Sequence, residues 1–158
     1  MYSTLLFYDK KIKDMERIIN SVLLVDDDEA TNVYNTVMIE DTGITDNILA
    51  ARSVTEALNI LNNAKENIDT LPELILLDIN MPIMNGWYLL EELKHFEPEV
   101  LSRLNIVMLS ASDNPNDIKK IDKYPFVIDY LSKPLSEDKI QKLIGKYRSN
   151  AGRSTNVR

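Results

Sequence analysis

The sequence predicts an α/β fold: a doubly wound (βα)5 sandwich around a five-stranded parallel sheet. Five short apolar runs alternate with five segments of helical periodicity from residue 22 onward. The connections are long enough for the helical crossovers that parallel strands require. The third run, Leu74–Leu77, is wholly aliphatic and lies between Pro72 and Pro82, as expected for a short strand buried on both faces.

The five predicted strands are the apolar runs themselves. They are, in chain order, Val22–Val25, Ile48–Ala51, Leu74–Leu77, Ile106–Leu109 and Val127–Leu131. Crossovers between parallel strands are right-handed, so alternation of this kind gives a doubly wound, flavodoxin-like sheet with helices on both faces.

The first two helices are predicted from apolar residues that recur every three or four positions. In the first segment these are Ala30, Val33, Tyr34, Val37 and Met38. In the second they are Ala57, Leu61, Ala64 and Ile68. We expect each set to face the sheet.

The remaining helices differ in the strength of their pattern. The third spans Gly86 to about Phe96, and the fourth, near Pro115–Tyr124, is short and polar. The fifth carries a clear apolar stripe, formed by Ile140, Leu143, Ile144 and Tyr147. We therefore expect one domain over residues 21–148, an N-terminal extension over 1–20 and a flexible C-terminal tail over 149–158.

Composition excludes several classes of function. The chain has 158 residues, no cysteine and a single histidine, His95, so thiolate metal sites and a two-histidine metal site within one chain are excluded. The net charge of −7 opposes nonspecific binding to nucleic acid. No apolar stretch approaches the roughly 20 residues of a membrane span. We expect a cytoplasmic protein that binds neither nucleic acid nor membrane.

Four carboxylates follow the first strand, Asp26 to Glu29. One interpretation is a solvated helix start, where acidic side chains interact favourably with the helix dipole. The other includes Asp78, at the end of the third strand, because strands one and three are neighbours in this topology. Asp26, Asp27 and Asp78 would then form a pocket of hard oxygen ligands suited to Mg²⁺.

Two further strand ends carry groups complementary to an anion. Strand four ends at Ser110-Ala111-Ser112, and strand five is followed by Lys133-Pro134. Either residue alone is ordinary at a protein surface. Together, a hydroxyl donor and an ammonium facing an acidic, metal-binding pocket predict a site for a phosphoryl group.

Four blocks of the sequence resemble the receiver domain of two-component response regulators. They are VLLVDDDE, LILLDINMPIMNG, VMLSAS and DYLSKPLS. The resemblance covers residues 21 to about 147. It implies that Asp78 is the phosphoacceptor, which takes a phosphoryl group from the phosphohistidine of a sensor histidine kinase.

The resemblance also assigns the other site residues. Asp27 and Asp78 would ligate Mg²⁺ together with the backbone carbonyl of Asn80, and Asp26 would act through water. Lys133 would neutralise phosphoryl charge, and its bond to Pro134 is a candidate cis peptide.

A signalling role is implied rather than that of a conventional enzyme, since the domain catalyses only its own phosphorylation and dephosphorylation. Ser110 would hydrogen-bond the phosphoryl group, and Tyr130 matches the family's switch aromatic. We expect a stand-alone receiver that signals through surface contact, passes phosphate to a histidine phosphotransfer protein, or forms a phosphorylation-linked homodimer. The expected contact face is the fourth helix, fifth strand and fifth helix, because Tyr130 and Lys133 lie there.

Two alternatives remain. A haloacid-dehalogenase-type phosphatase also uses Asp, Ser or Thr, and Lys in that chain order, but it would leave Asp78 without a role. A receiver-like module that binds partners without phosphorylation is the second alternative. The complete set of Asp27, Asp78, Ser110 and Lys133 argues against it.

Overall fold

The predicted fold is confirmed in a computed structural model, which describes residues 18–155, with side chains through residue 149. Five parallel strands form one sheet in the order β2-β1-β3-β4-β5. Their bounds are Val22–Val25 for β1, Ile48–Ala51 for β2, Leu74–Asp78 for β3, Asn105–Ser110 for β4 and Val127–Ser132 for β5.

Five helices follow the strands in turn. They are α1 (Glu29–Thr42), α2 (Val54–Ala64), α3 (Gly86–Leu93), α4 (Pro115–Lys120) and α5 (Glu137–Thr155). Short 3-10 turns at Ile68–Thr70 and Ile121–Lys123 and a four-residue helix at Pro98–Leu101 complete the connections. Within residues 18–155, no helix is both long and apolar enough to cross a membrane.

The three central strands, β1, β3 and β4, are buried on both faces because alternate residues enter two separate cores. Leu23 and Ile75 belong to a core covered by α2 and α3, whereas Leu24 and Leu76 belong to a core covered by α1 and α5. Burying aliphatic side chains on both faces explains why β1, β3 and β4 read as continuous apolar runs.

Helix α1 does not bury the face that its apolar residues predict. Val33 is 59% exposed, Val37 is 49% exposed and Tyr34 is 43% exposed, whereas Asn32 and Asn35 are buried. Asn32 donates its side-chain amide to the backbone oxygen of Asp26 at 2.9 Å, at the end of β1. The polar requirements of the strand ends, rather than apolar periodicity, therefore set the orientation of this helix.

The predicted domain bounds, residues 21–148, stay a prediction, and regular structure continues past them at both ends. Ile19 is buried and its N–H donates to the Ile44 carbonyl, and Asn20 donates to the Glu73 carboxylate, so residues 18–20 are part of the fold. Residues 1–17 of the predicted extension over residues 1–20 lie outside the described residues. At the other end, α5 continues to Thr155, into the tail predicted over residues 149–158.

Candidate functional site

Asp78 is the last residue of β3, where the strand leaves the sheet at its carboxyl edge, and the residue is 4% exposed. Helix α3 begins beside it at Gly86, whose N–H donates to the Ile79 carbonyl at 2.9 Å. A Cβ on Gly86 would lie 2.5 Å from the Asp78 carbonyl oxygen. Only glycine therefore allows α3 to pack this closely against the backbone of Asp78.

The loop between β3 and α3 contains a strained turn. Ile83 has a φ of 69° and is fully exposed, and the Met84 N–H donates to the Pro82 carbonyl at 2.8 Å across it. This is the pattern of a γ-turn with positive φ, which is rare and unfavourable for a β-branched residue. The strain lies four to six residues beyond Asp78, on the rim of the site.

Three carboxylates meet at the edge of the sheet. One oxygen from each of Asp26, Asp27 and Asp78 lies within 4.8 Å of the others. Asp26 and Asp78 are buried and Asp27 is half-buried. The Lys133 ammonium lies 2.6 Å from Asp26 Oδ2 and 3.2 Å from Asp78 Oδ1, so it neutralises part of this charge.

The other two acidic residues after β1 serve the helix instead. Asp28 caps α1 by accepting from the Ala30 N–H and the Thr31 hydroxyl, and these bonds, led by the Thr31 hydroxyl, lower its pKa. Glu29 lies 3.6 Å from Arg52. The interpretation of a solvated helix start thus holds for Asp28 and Glu29, and the interpretation of a shared pocket holds for Asp26 and Asp27.

The electrostatics of the pocket are those of a buried cluster of like charges. Burial, together with the nearby Asp26 carboxylate, raises the pKa of Asp78 despite the opposing effect of Lys133. Burial alone would lower the pKa of Lys133, but its hydrogen bond to Asp26 and the charges of Asp78 and Asp26 outweigh this and raise it. Lys133 is thus held in its charged form while Asp78 resists ionisation.

The donor set fits a hard divalent cation. Three carboxylates offer oxygen atoms that are too few for a cage made of protein atoms alone, which suits Mg²⁺ because this ion retains several waters. The cluster also carries more negative charge than the single Lys133 ammonium balances. The backbone carbonyl of Asn80 remains a predicted fourth ligand of the cation. The backbone N–H of Asn80 donates to Asp78 Oδ1 at 3.3 Å.

Strands β4 and β5 bring Ser110 and Lys133 to the same edge. Ser110 ends β4, next to β3, and its carbonyl accepts from the Lys133 N–H at 2.7 Å. The peptide bond between Lys133 and Pro134 is cis, as the resemblance implied. The backbone thus fixes both residues beside Asp78.

Tyr130 is linked to Ser110 through Ser112. The Tyr130 hydroxyl donates to the Ser112 carbonyl at 2.6 Å, and the Ser112 N–H donates to Ser110 Oγ at 3.1 Å. The Tyr130 ring is half-buried and packs against the core under α2 and α3. Ser112 therefore contacts both Ser110, which is predicted to bind the phosphoryl group, and Tyr130, the predicted switch residue.

Sequence reasoning missed Asn32, which had no part in the predicted site. Its amide nitrogen bonds the Asp26 carbonyl, and its Oδ1 is buried without a hydrogen-bond partner among the described residues. The signal available in the sequence was a polar residue six positions after Asp26. The spacing of the apolar residues in this helix, however, predicted that a different face would be buried. That signal was too weak to separate Asn32 from a solvent-exposed asparagine.

Comparisons with known proteins give the family. The model of the response regulator receiver domain matches residues 22–145. A solved structure of a two-component response regulator from Cytophaga hutchinsonii is similar, with 34% identity, a TM-score of 0.78, and coverage of 84% of this chain and 99% of that one.

Two curated relatives are longer proteins. The transcriptional regulatory protein MalR of Bacillus subtilis is 34% identical over 81% of this chain, and the sensor histidine kinase GacS of Pseudomonas protegens is 32% identical over 84% of it. The chain spans half the length of MalR and 14% of that of GacS. Since the family model matches most of the chain, this protein belongs to the family of response regulator receiver domains.

Proposed function

We propose that this protein accepts a phosphoryl group on Asp78 from the phosphohistidine of a sensor histidine kinase. The observation that carries the proposal is the buried Asp78 carboxylate, which lies 3.2 Å from the Lys133 ammonium and shares a pocket with Asp26 and Asp27. Receiver domains are signalling modules, and the acidic cluster with its lysine supports a phosphoacceptor role for this pocket.

The transfer is a displacement at phosphorus. An ionised oxygen of Asp78 attacks, the phosphorus–nitrogen bond to the donor imidazole breaks, and its electron pair returns to the imidazole nitrogen. The product is an acyl phosphate on Asp78. Such a reaction depends on positioning and charge neutralisation more than on a general base.

Each neighbouring group has a proposed part in this transfer. Lys133 holds Asp78 in place before the reaction and neutralises a phosphoryl oxygen after it. Asp27, Asp78 and the Asn80 carbonyl would hold Mg²⁺ directly, with Asp26 acting through water. Bound Mg²⁺ would supply positive charge to the phosphoryl oxygens.

The output follows from the chain of contacts between Ser110 and Tyr130. A phosphoryl group on Asp78 accepts a hydrogen bond from the Ser110 hydroxyl and draws it away from the Ser112 N–H. The loop carbonyl that holds the Tyr130 hydroxyl then shifts, and the populations of Tyr130 conformers change with it. We propose that this change alters the face formed by α4, β5 and α5, which contacts the downstream partner.

The exposed apolar face of α1 is the proposed docking surface for the phosphodonor. The histidine has to approach Asp78 from outside the strand ends, so the surface that carries it must cover the neighbouring elements. Val33 and Val37 project from the helix that begins beside the pocket and line a groove of about 310 Å³. A second groove, also of about 310 Å³, runs from Tyr34 on the same helix to Lys133. An apolar helix face next to the acceptor site suits a helical partner.

Acetyl phosphate with Mg²⁺ tests the proposal in the absence of a kinase. Intact-mass measurement is expected to show addition of one phosphoryl group to the wild-type chain and none to Asp78→Asn. An unmodified wild-type mass would support the receiver-like module that binds without phosphorylation. Repeated hydrolysis of a generic phosphomonoester would support the phosphatase alternative. Either result would contradict the proposal.

A further inference from the structure

Lys139 occupies an unusual position for a lysine. It lies in the first turn of α5, where the helix dipole disfavours a positive charge, and its side chain is half-buried. Its ammonium donates to the Ser132 carbonyl at 2.6 Å and to the Pro134 carbonyl at 2.8 Å, and it lies 3.3 Å from Ser132 Oγ. Among the ion pairs of the described residues, none involves Lys139.

The two carbonyls held by Lys139 lie on either side of Lys133. The Lys133 N–H is itself held by the Ser110 carbonyl at 2.7 Å. The backbone of Lys133 is therefore fixed from β4 on one side and from α5 on the other. The lysine side chain has four flexible carbons, so its ammonium has a defined position only if the backbone of the residue is fixed in this way.

We propose that Lys139 is a positioning residue that aims the Lys133 ammonium at Asp26 and Asp78. By tying the carbonyls of Ser132 and Pro134 to one ammonium, it sets the position of the Lys133 Cα above the acidic pocket. The catalytic meaning of this placement rests on the proposed phosphorylation of Asp78; the placement itself does not.

Binding of Mg²⁺ reports the aim of Lys133 without any phosphorylation. The Lys133 ammonium competes with a cation for Asp26 and Asp78, so Lys133→Met is expected to bind Mg²⁺ more tightly than wild type by calorimetry. Lys139→Met is expected to shift the affinity in the same direction by a smaller factor. Lys139→Arg retains a cationic donor and is expected to restore the wild-type affinity, and Lys142→Met, an exposed lysine on the same helix, is the matched control.

Phosphorylation by acetyl phosphate at saturating Mg²⁺ is the second readout. We expect Lys139→Met to react about tenfold more slowly than wild type, because small misplacements of a charged group near a reacting centre are costly. We expect Lys139→Arg to stay within about threefold of wild type on the same reasoning. If Lys139→Met does not fold, Lys139→Gln replaces it, since its shorter amide does not span both carbonyls.

The outcomes separate this inference from the proposed function. If Lys139→Met lowers only the thermal midpoint and leaves both Mg²⁺ affinity and rate unchanged, the positioning role is wrong and the residue merely stabilises α5. If the order of Mg²⁺ affinities holds but the wild-type chain is never phosphorylated, the positioning role stands and the proposed function fails.

Discussion

Helices α1 and α2 both contact β1, yet they use opposite kinds of face to do so. Helix α2 buries Val54, Ala57, Leu61 and Ala64, the apolar stripe expected of a helix that covers a sheet. Helix α1 buries Asn32, Asn35 and Ile39 and leaves Val33 and Val37 exposed. One helix stabilises the fold with its apolar side chains, and the other turns most of them away from it.

The difference follows from what lies beneath each helix. The start of α1 covers the strand ends that carry Asp26, where backbone carbonyls need donors, and Asn32 supplies one. An exposed apolar face is costly to keep unless a partner covers it, which is why we propose it as the docking surface. The exposed apolar face of α1 therefore supports the proposed docking role of this helix.

The largest expected effect on the free energy of unfolding is at the buried apolar face of α2. Leu61→Ala should lower the free energy of unfolding by about 2–5 kcal/mol, because Leu61 is fully buried and its removal leaves a cavity. Val37→Ala on α1 should change it by less than about 0.5 kcal/mol, as for other exposed positions. Urea unfolding measures both, and equal losses would show that α1 contributes to the core as α2 does.

Asn32→Ala tests the polar contact beneath α1. We expect a loss of about 1 kcal/mol, near the lower end of the cost of removing a buried donor, since the unpartnered Oδ1 of Asn32 is removed as well. The exposed Asn62 on α2 offers the control, and Asn62→Ala should be close to neutral. A neutral Asn32→Ala would mean that the bond to the Asp26 carbonyl does not orient the helix.

The exposed face of α1 should affect transfer and not stability. The double variant Val33→Ser, Val37→Ser should accept phosphate from a cognate kinase about tenfold more slowly, or roughly 1.4 kcal/mol, as expected when central apolar contacts are lost. Its reaction with acetyl phosphate should be unchanged. Ile118 is another exposed apolar residue, on α4, so Ile118→Ser is the matched control and should leave kinase transfer unchanged. A slower reaction with acetyl phosphate would indicate a distorted site instead.

The sheet and the convergence of site residues were predictable for a common reason. Parallel strands that are buried on both faces read as aliphatic runs, and their carboxyl ends meet at one edge. Asp26, Asp27 and Asp78 therefore came together as the topology required. Their roles in phosphoryl transfer stay predictions.

Other features depend on contacts that no local pattern encodes. The orientation of α1 depends on the Asp28 cap and on the position of Asn32 beneath it, and the sequence offered a competing apolar spacing. The positive φ of Ile83 could not be expected, since β-branched residues disfavour that conformation. The role of Lys139 could not be predicted, because its contacts to the carbonyls of Ser132 and Pro134 depend on the conformation of the loop around Lys133.

The smallest expected effect is a pH dependence of stability, which should occur at the polar edge of the sheet and not in the apolar core under α2. Because burial raises the pKa of Asp78 in the folded chain above its unfolded value, the charged carboxylate costs stability at neutral pH, and this cost is relieved as pH falls through the raised pKa. Asp78→Asn should therefore be more stable than wild type at pH 7 without Mg²⁺, and its advantage should shrink as pH falls. Urea unfolding of both proteins at a series of pH values from 7 downward measures the difference in their free energies of unfolding.

Asp69→Asn, an exposed carboxylate between α2 and β3, is the control for this pH series. We expect Asp69→Asn to change the free energy of unfolding by less than about 0.5 kcal/mol, as for other exposed positions. The α2 variant Leu61→Ala should also lose the same stability at each pH, since its cost comes from a cavity and not from a charge. An advantage of Asp78→Asn that stayed constant with pH would show that Lys133 compensates the ionised carboxylate of Asp78 fully, and that burial at this edge of the sheet does not raise its pKa.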